Sequence, residues 1–338
     1  MLVEKNTPLQ DCNTFGIVAS ADTLVRIRST ADVLEFVRSD LYRGRKVFVL
    51  GGGSNIVLTG DVVDAVVLKM EVPGIALAAE TDSHWIIEAG AGVRWHDLVA
   101  WTIAHGYPGL ENLALVPGTV GAAPVQNIGA YGVELQDRFH ELDAVDLVQA
   151  QTFTLNAAQC AFGYRDSLFK RQAGRWLILR VRFALQRTAQ LHLDYGPVRQ
   201  WLAEQGVVSP TPLDVSRAIC SIRRERLPDP AVLGNAGSFF KNPLVSAEQA
   251  ERLRVEYPDL IAYPQGNGTV KLAAGWLLER AGWKGYRDGD AGVHRLQALV
   301  LVNHGRATGK QVLALARRIR EDIERRFGVS LEVEPSVI

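Results

Sequence analysis

Cysteine is scarce in this chain, and no cysteine motif is present. The 338 residues include three cysteines, Cys12, Cys160 and Cys220, which are far apart and form no Cys-x-x-Cys pair. An odd and scattered set argues against a disulfide framework and against a structural zinc site. The seven histidines form no His-x-x-x-His or His-Glu-x-x-His motif. We therefore expect no metal and a reducing, cytoplasmic environment.

Net charge and long apolar runs are also absent. Lys plus Arg equals Asp plus Glu at 37 each, which argues against a general nucleic-acid or anionic-membrane surface but allows a local basic pocket. No uncharged apolar stretch reaches the ~18 residues of a membrane-spanning helix, and residues 1–6 lack an apolar signal core. We expect neither a nucleic-acid partner nor a membrane.

Hydrophobic residues are ordinary in number, and their spacing predicts an α+β fold. They make up 47% of the chain, enough for two or three domains at ~150 residues each. Apolar residues at helical spacing predict helices, and continuous or alternating apolar runs predict strands. The predicted helices are 29–44 (capped by Ser29), one from Trp95 to before Gly106, 246–257 (capped by Ser246), 272–280 and 312–327 (ended by Gly328). The predicted strands are 47–50, 66–68, 85–89, 142–154, 176–185, 298–302 and 331–334.

A glycine-rich turn, Gly51-Gly52-Gly53-Ser54-Asn55, follows the strand predicted at 47–50. Its backbone N–H groups can form an anion nest, with Ser54 and Asn55 as added donors, so a phosphate is the natural guest. No Gly-Lys-Ser/Thr follows, and the spacing differs from Gly-x-Gly-x-x-Gly, so the turn is neither a P-loop nor a Rossmann fingerprint. The alternative is a tight turn without a ligand.

A second glycine-rich region covers residues 107–132 and includes Pro117-Gly118-Thr119-Val120-Gly121-Ala122 and Gln126-Asn127-Ile128-Gly129-Ala130-Tyr131. It is too apolar for a solvated linker and too rich in glycine for a regular element. Small residues allow the backbone to lie against a ring system or a diphosphate, and the two amides suit a flavin or pyrimidine edge. With the first turn it predicts a dinucleotide held without a Rossmann fold. A buried turn without a guest is the alternative.

Two further motifs carry polar groups between predicted strands. In Gly163-Tyr164-Arg165-Asp166-Ser167, the arginine has a planar fork that matches a carboxylate. Taken alone, however, this motif favours a surface pair of Arg165 and Asp166 on a hairpin. Asp194-Tyr195-Gly196 predicts a mobile tyrosine loop, or a tyrosine that only packs.

The loop Gly234–Pro243 contains one serine, Ser238, followed by two phenylalanines. A hydroxyl in a dry, glycine-lined pocket can carry a proton, and Lys241 and Asn242 can hold an anion or a hydroxyl group. A loop that ends against core aromatics is the alternative. On the predicted final strand Glu332 and Glu334 share one face, which lines a cleft or faces water.

Taken together, these motifs resemble the UDP-N-acetylenolpyruvoylglucosamine reductase family. The resemblance extends from Asn13-Thr14-Phe15-Gly16 to Glu334, and the tyrosine turn is similar to the form of the family that closes a tyrosine loop over its substrate. It rests on the order of five motifs: Leu50–Asn55, Gly109–Leu113, 117–132, Gly163–Ser167 and the Ser238 loop.

The resemblance implies three structural parts. An FAD-binding unit of the vanillyl-alcohol-oxidase type consists of two α+β subdomains, 1–72 and 73–225, with a final strand at 329–338 that joins the second. A third α+β part, 226–328, binds the substrate. FAD is the implied cofactor, NADPH the hydride donor and a UDP-sugar enolpyruvyl ether the substrate, in peptidoglycan synthesis. We expect a monomer.

The resemblance also implies roles for individual residues. Hydride from the reduced flavin adds to the terminal vinyl carbon, and charge spreads into the substrate carboxylate. Arg165 stabilises that charge, Glu334 shares the task in a protonated or hydrogen-bonded form, and Ser238 protonates the neighbouring carbon as a general acid. The implied cofactor contacts are Gly51, Gly53, Ser54, Asn55, Pro117, Gly118, Thr119, Gly121, Ala122, Gln126, Asn127, Gly129, Ala130, Tyr131 and Ile178. The implied substrate contacts are Tyr164, Tyr195, Arg226, Asn242 and Gln297.

The chain departs from the family pattern at two places. Arg226 stands where a lysine is expected, which keeps the charge but changes the donor geometry. After Glu334 the family has a valine and an arginine, whereas this chain has Pro335-Ser336-Val337-Ile338. A proline ends ladder donation at that point. Two other hypotheses stay open at this point. One is a different flavin oxidase or dehydrogenase of the same FAD-binding type, and the other is a nucleotide-binding protein without turnover.

Overall fold

The computed structural model describes residues 1–266 and 268–338. They form two compact units. The first contains residues 1–7, 20–53 and 62–225, and the second contains 8–19, 54–61 and 226–338. The chain therefore enters the second unit three times, twice with short segments.

Strands and helices are numbered along the chain. The strands are β1 Leu2–Pro8, β2 Ser20–Ile27, β3 Val47–Leu50, β4 Ile56–Val57, β5 Val62–Met70, β6 Ile75–Glu80, β7 His84–Gly90, β8 Gly129–Ala130, β9 Val133–Glu134, β10 Phe139–Asp146, β11 Gln151–Asn156, β12 Trp176–Gln186, β13 Gly234–Ser238, β14 Leu244–Ser246, β15 Ala262–Pro264, β16 Thr269–Leu272, β17 Arg287–Asp288, β18 Ala291–Val293, β19 Val300–Asn303 and β20 Ser336–Val337. The helices are α1 Thr30–Arg38, α2 Trp95–Ala104, α3 Ala157–Cys160, α4 Leu168–Arg171, α5 Gly196–Glu204, α6 Pro212–Arg226, α7 Ala247–Glu256, α8 Ala274–Arg280 and α9 Gly309–Phe327.

Besides the short antiparallel pair β8-β9, the first unit is built on two larger sheets. One has the order β1-β2-β5-β3, in which β2 and β3 both run parallel to β5. The other has the order β11-β10-β12-β7-β6 and is antiparallel throughout. Helix α2 covers the second sheet through Trp95, whose ring meets Phe183 edge to face at 5.7 Å. The result is a mixed α+β unit, as predicted.

Among its described residues, the second unit has three small sheets. The order β13-β19-β18-β17 is antiparallel, as is β14-β16-β15, and β20 pairs with β4 in parallel. Helix α9 packs on β18 and β19 through an apolar stripe that includes Val312, Ile319 and Ile323. It ends where predicted, at Gly328 with φ +63°.

Most predicted elements are confirmed, with local differences. Ser29 caps α1 by accepting from Asp32 N, but the helix ends at Arg38 instead of residue 44. The apolar run at 142–154 is not one strand, because a turn at 147–150 divides it into β10 and β11. Leu272 ends β16, so the helix predicted from 272 begins at Ala274. An apolar residue at such a junction satisfies the spacing of both elements.

The strand predicted at 331–334 is wrong. This segment makes a single antiparallel bridge, Val333 to Phe240. Leu331 is buried and Glu332 is exposed, but Val333 and Glu334 are both half-buried, so the predicted alternation fails after two residues. The regular strand is β20, which begins directly after Pro335, so the proline does not prevent the chain end from pairing. The 329–338 segment lies in the second unit, and the three-part domain division stays a prediction.

Candidate active site

The glycine-rich turn at 51–53 packs against the second glycine-rich loop. A Cβ atom on Gly52 would lie 2.9 Å from Gly118 Cα, and one on Gly51 would lie 2.7 Å from Thr119 Oγ1. Gly53 has φ +64°, a conformation that glycine adopts without strain. These glycines therefore allow two backbone segments to touch, so that both loops form one surface in the first unit.

Thr119 is the most informative residue on this surface. Its hydroxyl oxygen is buried and has no hydrogen-bond partner in the structure. The backbone around it is fixed, because Val120 N and Gly121 N donate to Val93 O and Ala91 O at 2.9 and 3.0 Å. A buried hydroxyl without a partner costs free energy. A polar ligand on the glycine-rich surface would satisfy it, so this observation fits a bound dinucleotide.

Asn127 has a different environment from the one its sequence suggests. It is fully buried with φ +44°. Its amide donates to Glu134 Oε2 at 2.9 Å and to Gly163 O at 3.2 Å, and its oxygen accepts from Gln136 N at 3.1 Å. The side chain thus holds the loop to the Arg165 turn. Cofactor contacts by Asn127, Gln126 and the buried Ile178 stay predictions.

Arg165 lies in a tight turn closed by two backbone hydrogen bonds between Gly163 and Asp166, at 3.0 and 3.2 Å. Its φ of +54° is unusual for a residue with a side chain. Such strain persists only where surrounding contacts enforce it, and it is common at functional sites. The Asp166 carboxylate pairs with Arg171. The alternative of a simple surface pair of Arg165 and Asp166 therefore does not describe the whole turn, which has a left-handed residue and pairs Asp166 with Arg171.

The Arg165 guanidinium is held against the glycine-rich loop. Its Nη2 donates to Gly129 O at 2.8 Å, and its Cζ lies 5.5 Å from the centre of the Tyr164 ring. A Cβ on Gly129 would come within 3.1 Å of Arg165 Nη1. Gly129 therefore gives the arginine room, and the predicted cofactor loop and the predicted carboxylate-binding residue are in direct contact.

Tyr195 directly precedes helix α5 and is 48% exposed. Its ring meets that of Tyr131 edge to face at 5.1 Å. Arg223 on α6 interacts with Tyr131, which was not predicted from the sequence. The Nε atom of Arg223 is buried without a hydrogen-bond partner. Burial lowers the pKa of Arg223, while Tyr131 opposes that shift. The sequence feature that could have revealed the burial of Arg223 is its spacing. It lies four residues after the buried Ile219, and so on the apolar side of the helix.

In the second unit, the structure brings Ser238 and Glu334 onto adjacent backbone segments. Phe240 and Val333 form an antiparallel bridge, and Glu334 N donates to Phe239 O at 2.9 Å. The proton-donor candidate thus precedes the residue that bonds to Glu334. These two residues, which are distant in sequence, become neighbours only through this pairing.

The side chains around Ser238 divide between core and surface. Ser238 is exposed, whereas Phe239 and Phe240 are buried and meet edge to face at 5.4 Å. Lys241 does not hold a free anion as the sequence suggested, because its ammonium pairs with Glu332. The loop is thus anchored by its phenylalanines while its serine faces outward.

The remaining predicted contacts lie elsewhere in the second unit. Asn242 Oδ1 accepts from Ala274 N at 2.9 Å, and Gln297 Oε1 accepts from Leu299 N at 3.4 Å. Arg226 is exposed at the end of α6. The Asn55 amide lies 3.5 Å from Glu334 O, so this residue of the first glycine-rich turn adjoins the Glu334 segment.

Two kinds of feature are not seen in the described residues. Within 1–266 and 268–338, no three His, Cys, Asp or Glu side chains are grouped so that they could hold a metal ion. Over the same ranges, no helix has the length and apolar character needed to cross a bilayer.

Comparison with known proteins identifies the family. Residues 229–338 match the C-terminal domain of UDP-N-acetylenolpyruvoylglucosamine reductase, and residues 21–155 match an FAD binding domain. The reductase of Pseudomonas aeruginosa is 58% identical over 335 residues, which cover 99% of this chain and 98% of that protein. This chain belongs to the UDP-N-acetylenolpyruvoylglucosamine reductase family.

More distant members agree with this assignment. The UDP-N-acetylenolpyruvoylglucosamine reductase of Azoarcus is 52% identical over 339 residues, which cover 99% of this chain and 97% of that protein. The crystal structure of the reductase from Thermus caldophilus has a TM-score of 0.69 and 23% identity, and the match covers 100% of this chain and 99% of that one. That likeness confirms the fold. Membership of the reductase family argues against the two other hypotheses, a different flavin oxidase or dehydrogenase and a nucleotide-binding protein without turnover.

Proposed function

We propose that this chain reduces the enolpyruvyl group of UDP-N-acetylglucosamine enolpyruvate to give UDP-N-acetylmuramate for peptidoglycan synthesis. FAD is the cofactor and NADPH the reductant. The observation that carries the assignment of residues is the backbone pairing that brings Ser238 next to Glu334, in a member of this reductase family. We further propose that the protein acts as a cytoplasmic monomer.

The surface made by residues 51–53 and 117–131 is the proposed FAD site, with Ser54, Asn55 and Ile178 as additional contacts. Its unpartnered Thr119 hydroxyl supports this assignment, as do the glycines that keep Cβ atoms off the surface. When bound and reduced by NADPH, FAD supplies the hydride that adds to the terminal vinyl carbon of the substrate. The protein residues bind and orient both partners.

Arg165 stabilises the negative charge that develops on the substrate carboxylate. A guanidinium meets a carboxylate through two parallel N–H bonds, which are among the stronger hydrogen bonds in proteins. The bond from Nη2 to Gly129 O and the Tyr164 ring restrain the side chain before substrate arrives. Such preorganisation is the main way in which polar groups lower a barrier.

Ser238 delivers a proton from Oγ to the carbon next to the one that accepts hydride. The substrate thereby gains one hydride and one proton across its C=C bond, and solvent returns the proton to the serine. Glu334, on the neighbouring segment, shares the stabilisation of the carboxylate. Because an ionised glutamate would repel that group, we propose that Glu334 is protonated or hydrogen-bonded at this step.

Five side chains are proposed to bind the rest of the UDP-sugar substrate. Tyr195, which is exposed beside Tyr131, is the candidate loop residue that closes over it. Arg226 supplies a positive charge where the family has a lysine. The remaining three are Tyr164, Asn242 and Gln297.

The test separates the two half-reactions of Ser238→Ala. We expect NADPH to reduce the bound flavin within twofold of the normal rate, whereas reoxidation by the enolpyruvyl substrate slows by about 10²- to 10⁴-fold, the usual contribution of a general acid. Stopped-flow absorbance of the flavin measures both rates. Ser330→Ala, an exposed serine in the same unit, is the control. Equal slowing of both half-reactions would show that Ser238 is not the specific proton donor.

A further inference from the structure

Strand β13 contains a bulge directly before Ser238. Asn235 pairs with Val302 and Ser238 with Val300, so β13 has one more residue than β19 between these two pairs. Gly237, in the bulge, has φ +70°. Bulges bend a strand and re-aim the adjacent side chains. The direction of the Ser238 hydroxyl therefore depends on how firmly this bulge is held.

Asn235 holds the bulge from within. Its Oδ1 accepts from Gly237 N at 3.0 Å, and its amide donates to Leu233 O at 2.8 Å and to Pro228 O at 3.2 Å. The residue is buried, with 5% of its surface exposed. Its own position thus sets the backbone of the two residues that precede Ser238.

A segment from near the start of the chain fastens Asn235 in turn. The Thr14 hydroxyl donates to Asn235 O at 2.6 Å, and Asn235 N donates to Thr14 O at 2.9 Å. These two bonds join residues that are far apart in sequence, at the point where the bulge begins. All of these residues belong to the second unit.

The segment that carries Thr14 is closed by its own hydrogen bonds and also contacts Phe239, the residue that follows Ser238. Asn13 donates to Leu9 O at 2.8 Å and to Ile17 O at 2.9 Å, which closes the segment into a compact loop. The Phe15 ring meets Phe239 edge to face at 6.2 Å. The segment therefore braces the strand both before and after the serine.

We propose that Thr14 is a positioning residue for the proton transfer, because its hydroxyl fixes Asn235 and the bulge that aims Ser238. This inference rests on the proposed function of Ser238. Thr14 acts through the backbone of residues 235–238 and makes no direct contact with the substrate. Such a role affects the protonation step more than it affects flavin reduction.

The experiment compares Thr14→Val, which loses the hydroxyl but keeps the shape, with Thr14→Ser, which keeps the hydroxyl. Flavin reduction by NADPH and reoxidation by the enolpyruvyl substrate are measured separately by stopped flow. For Thr14→Val we expect reoxidation to slow by about fivefold or more, the equivalent of one hydrogen bond, with flavin reduction unchanged. For Thr14→Ser we expect both rates within twofold of normal.

A double-mutant cycle shows whether Thr14 acts through Ser238. In the Ser238→Ala background, Thr14→Val should cause no further loss of reoxidation rate, because the group that it positions is absent. A full additional loss in that background overturns the proposal. Three other results would also overturn it. They are normal reoxidation in Thr14→Val, reoxidation in Thr14→Ser that is as slow as in Thr14→Val, and equal slowing of both half-reactions in Thr14→Val.

Gly237→Ala tests the bulge without changing Thr14. The added Cβ has open space, but φ +70° is unfavourable for alanine. We expect the same selective slowing of reoxidation, and normal reoxidation in this folded variant would overturn the proposal even if Thr14→Val does not fold. Failure of the proposed function has a different signature, since the unmodified protein would then not be reoxidised by the substrate at all.

Discussion

Arg165→Lys tests how much of the reaction depends on the shape of the guanidinium and how much on its charge. The lysine keeps one positive charge but replaces a planar fork with a single nitrogen. In the structure Nη2 already donates to Gly129 O at 2.8 Å. A single ammonium nitrogen cannot form the two parallel N–H bonds that a guanidinium makes to one carboxylate. We therefore expect the variant to lose at least one charge-assisted hydrogen bond in the transition state.

The size of the effect follows from that loss. A hydrogen bond to a charged group contributes about 1.5–3 kcal/mol, which corresponds to about 10- to 150-fold in rate. The backbone of the turn should be preserved, because lysine and arginine meet the same steric limits at φ +54°. We expect substrate-dependent reoxidation to slow by this factor and FAD content to stay normal.

Stopped-flow reoxidation and flavin content after purification measure the two quantities. Arg171→Lys is the matched control, because Arg171 lies near the same turn and pairs with Asp166 and with Ala161 O. The control should change reoxidation by less than twofold. Near-normal reoxidation in Arg165→Lys would remove Arg165 from charge stabilisation. An equal effect in both variants would indicate that only the turn was disturbed.

Two further predictions concern the cofactor surface and acid stability. Thr119→Val should weaken FAD binding about fivefold, which corresponds to the loss of one hydrogen bond. The melting temperature of the FAD-free protein should not fall, because the Thr119 hydroxyl has no hydrogen-bond partner there. Unchanged affinity in a titration with FAD would contradict the assignment of Thr119 to the FAD site. Burial would raise the pKa of Asp146, but Arg175 and two backbone N–H groups lower it below its usual value. Asp146 therefore stabilises the fold above its unfolded pKa of about 3.9, and this contribution is lost as pH falls through the folded value. Asp146→Asn should lower the free energy of unfolding by about 2–4 kcal/mol at pH 7 and by less near pH 3, measured with urea; an equal loss at both pH values would argue against this linkage.

Local signals in the sequence were sufficient for several elements. Ser29 caps α1, and Gly328 ends α9 after an apolar stripe of helical period. Both signals act over one or two helical turns, so a single stretch of sequence contains all the interacting groups. The same holds for the turn at 51–53. Its three consecutive glycines indicate a backbone that comes close to another segment or adopts a positive φ.

Other predictions failed because distant residues decide them. The segment 331–334 has the alternation of a strand, but it makes only one bridge, to Phe240. Lys241 was read as an anion-binding group, but its partner is Glu332, on that same distant segment. The partners of the Asn127 amide, Glu134 and Gly163, were likewise not visible in the sequence, while its cofactor contact stays a prediction.

The sequence by itself determined the family and the chemical groups available to the reaction. Motifs around Arg165, Ser238 and Glu334 are short, and their order along the chain is enough to recognise a flavin-dependent reductase of this type. Serine, arginine and glutamate at those positions offer a hydroxyl, a guanidinium and a carboxyl group, which suit the proposed proton transfer and charge stabilisation. These properties belong to residue types and short spacings, so they need no tertiary structure.

Only the tertiary structure decided how these groups are held. It placed Glu334 beside the Ser238 strand, joined the Arg165 guanidinium to Gly129 and attached Thr14 to Asn235. Each contact joins segments that are distant in sequence, and each depends on the register of a backbone pairing or on the path of an irregular loop. Local periodicity does not specify a partner strand or its register, so the orientation of the proposed catalytic groups is set only when the whole chain is folded.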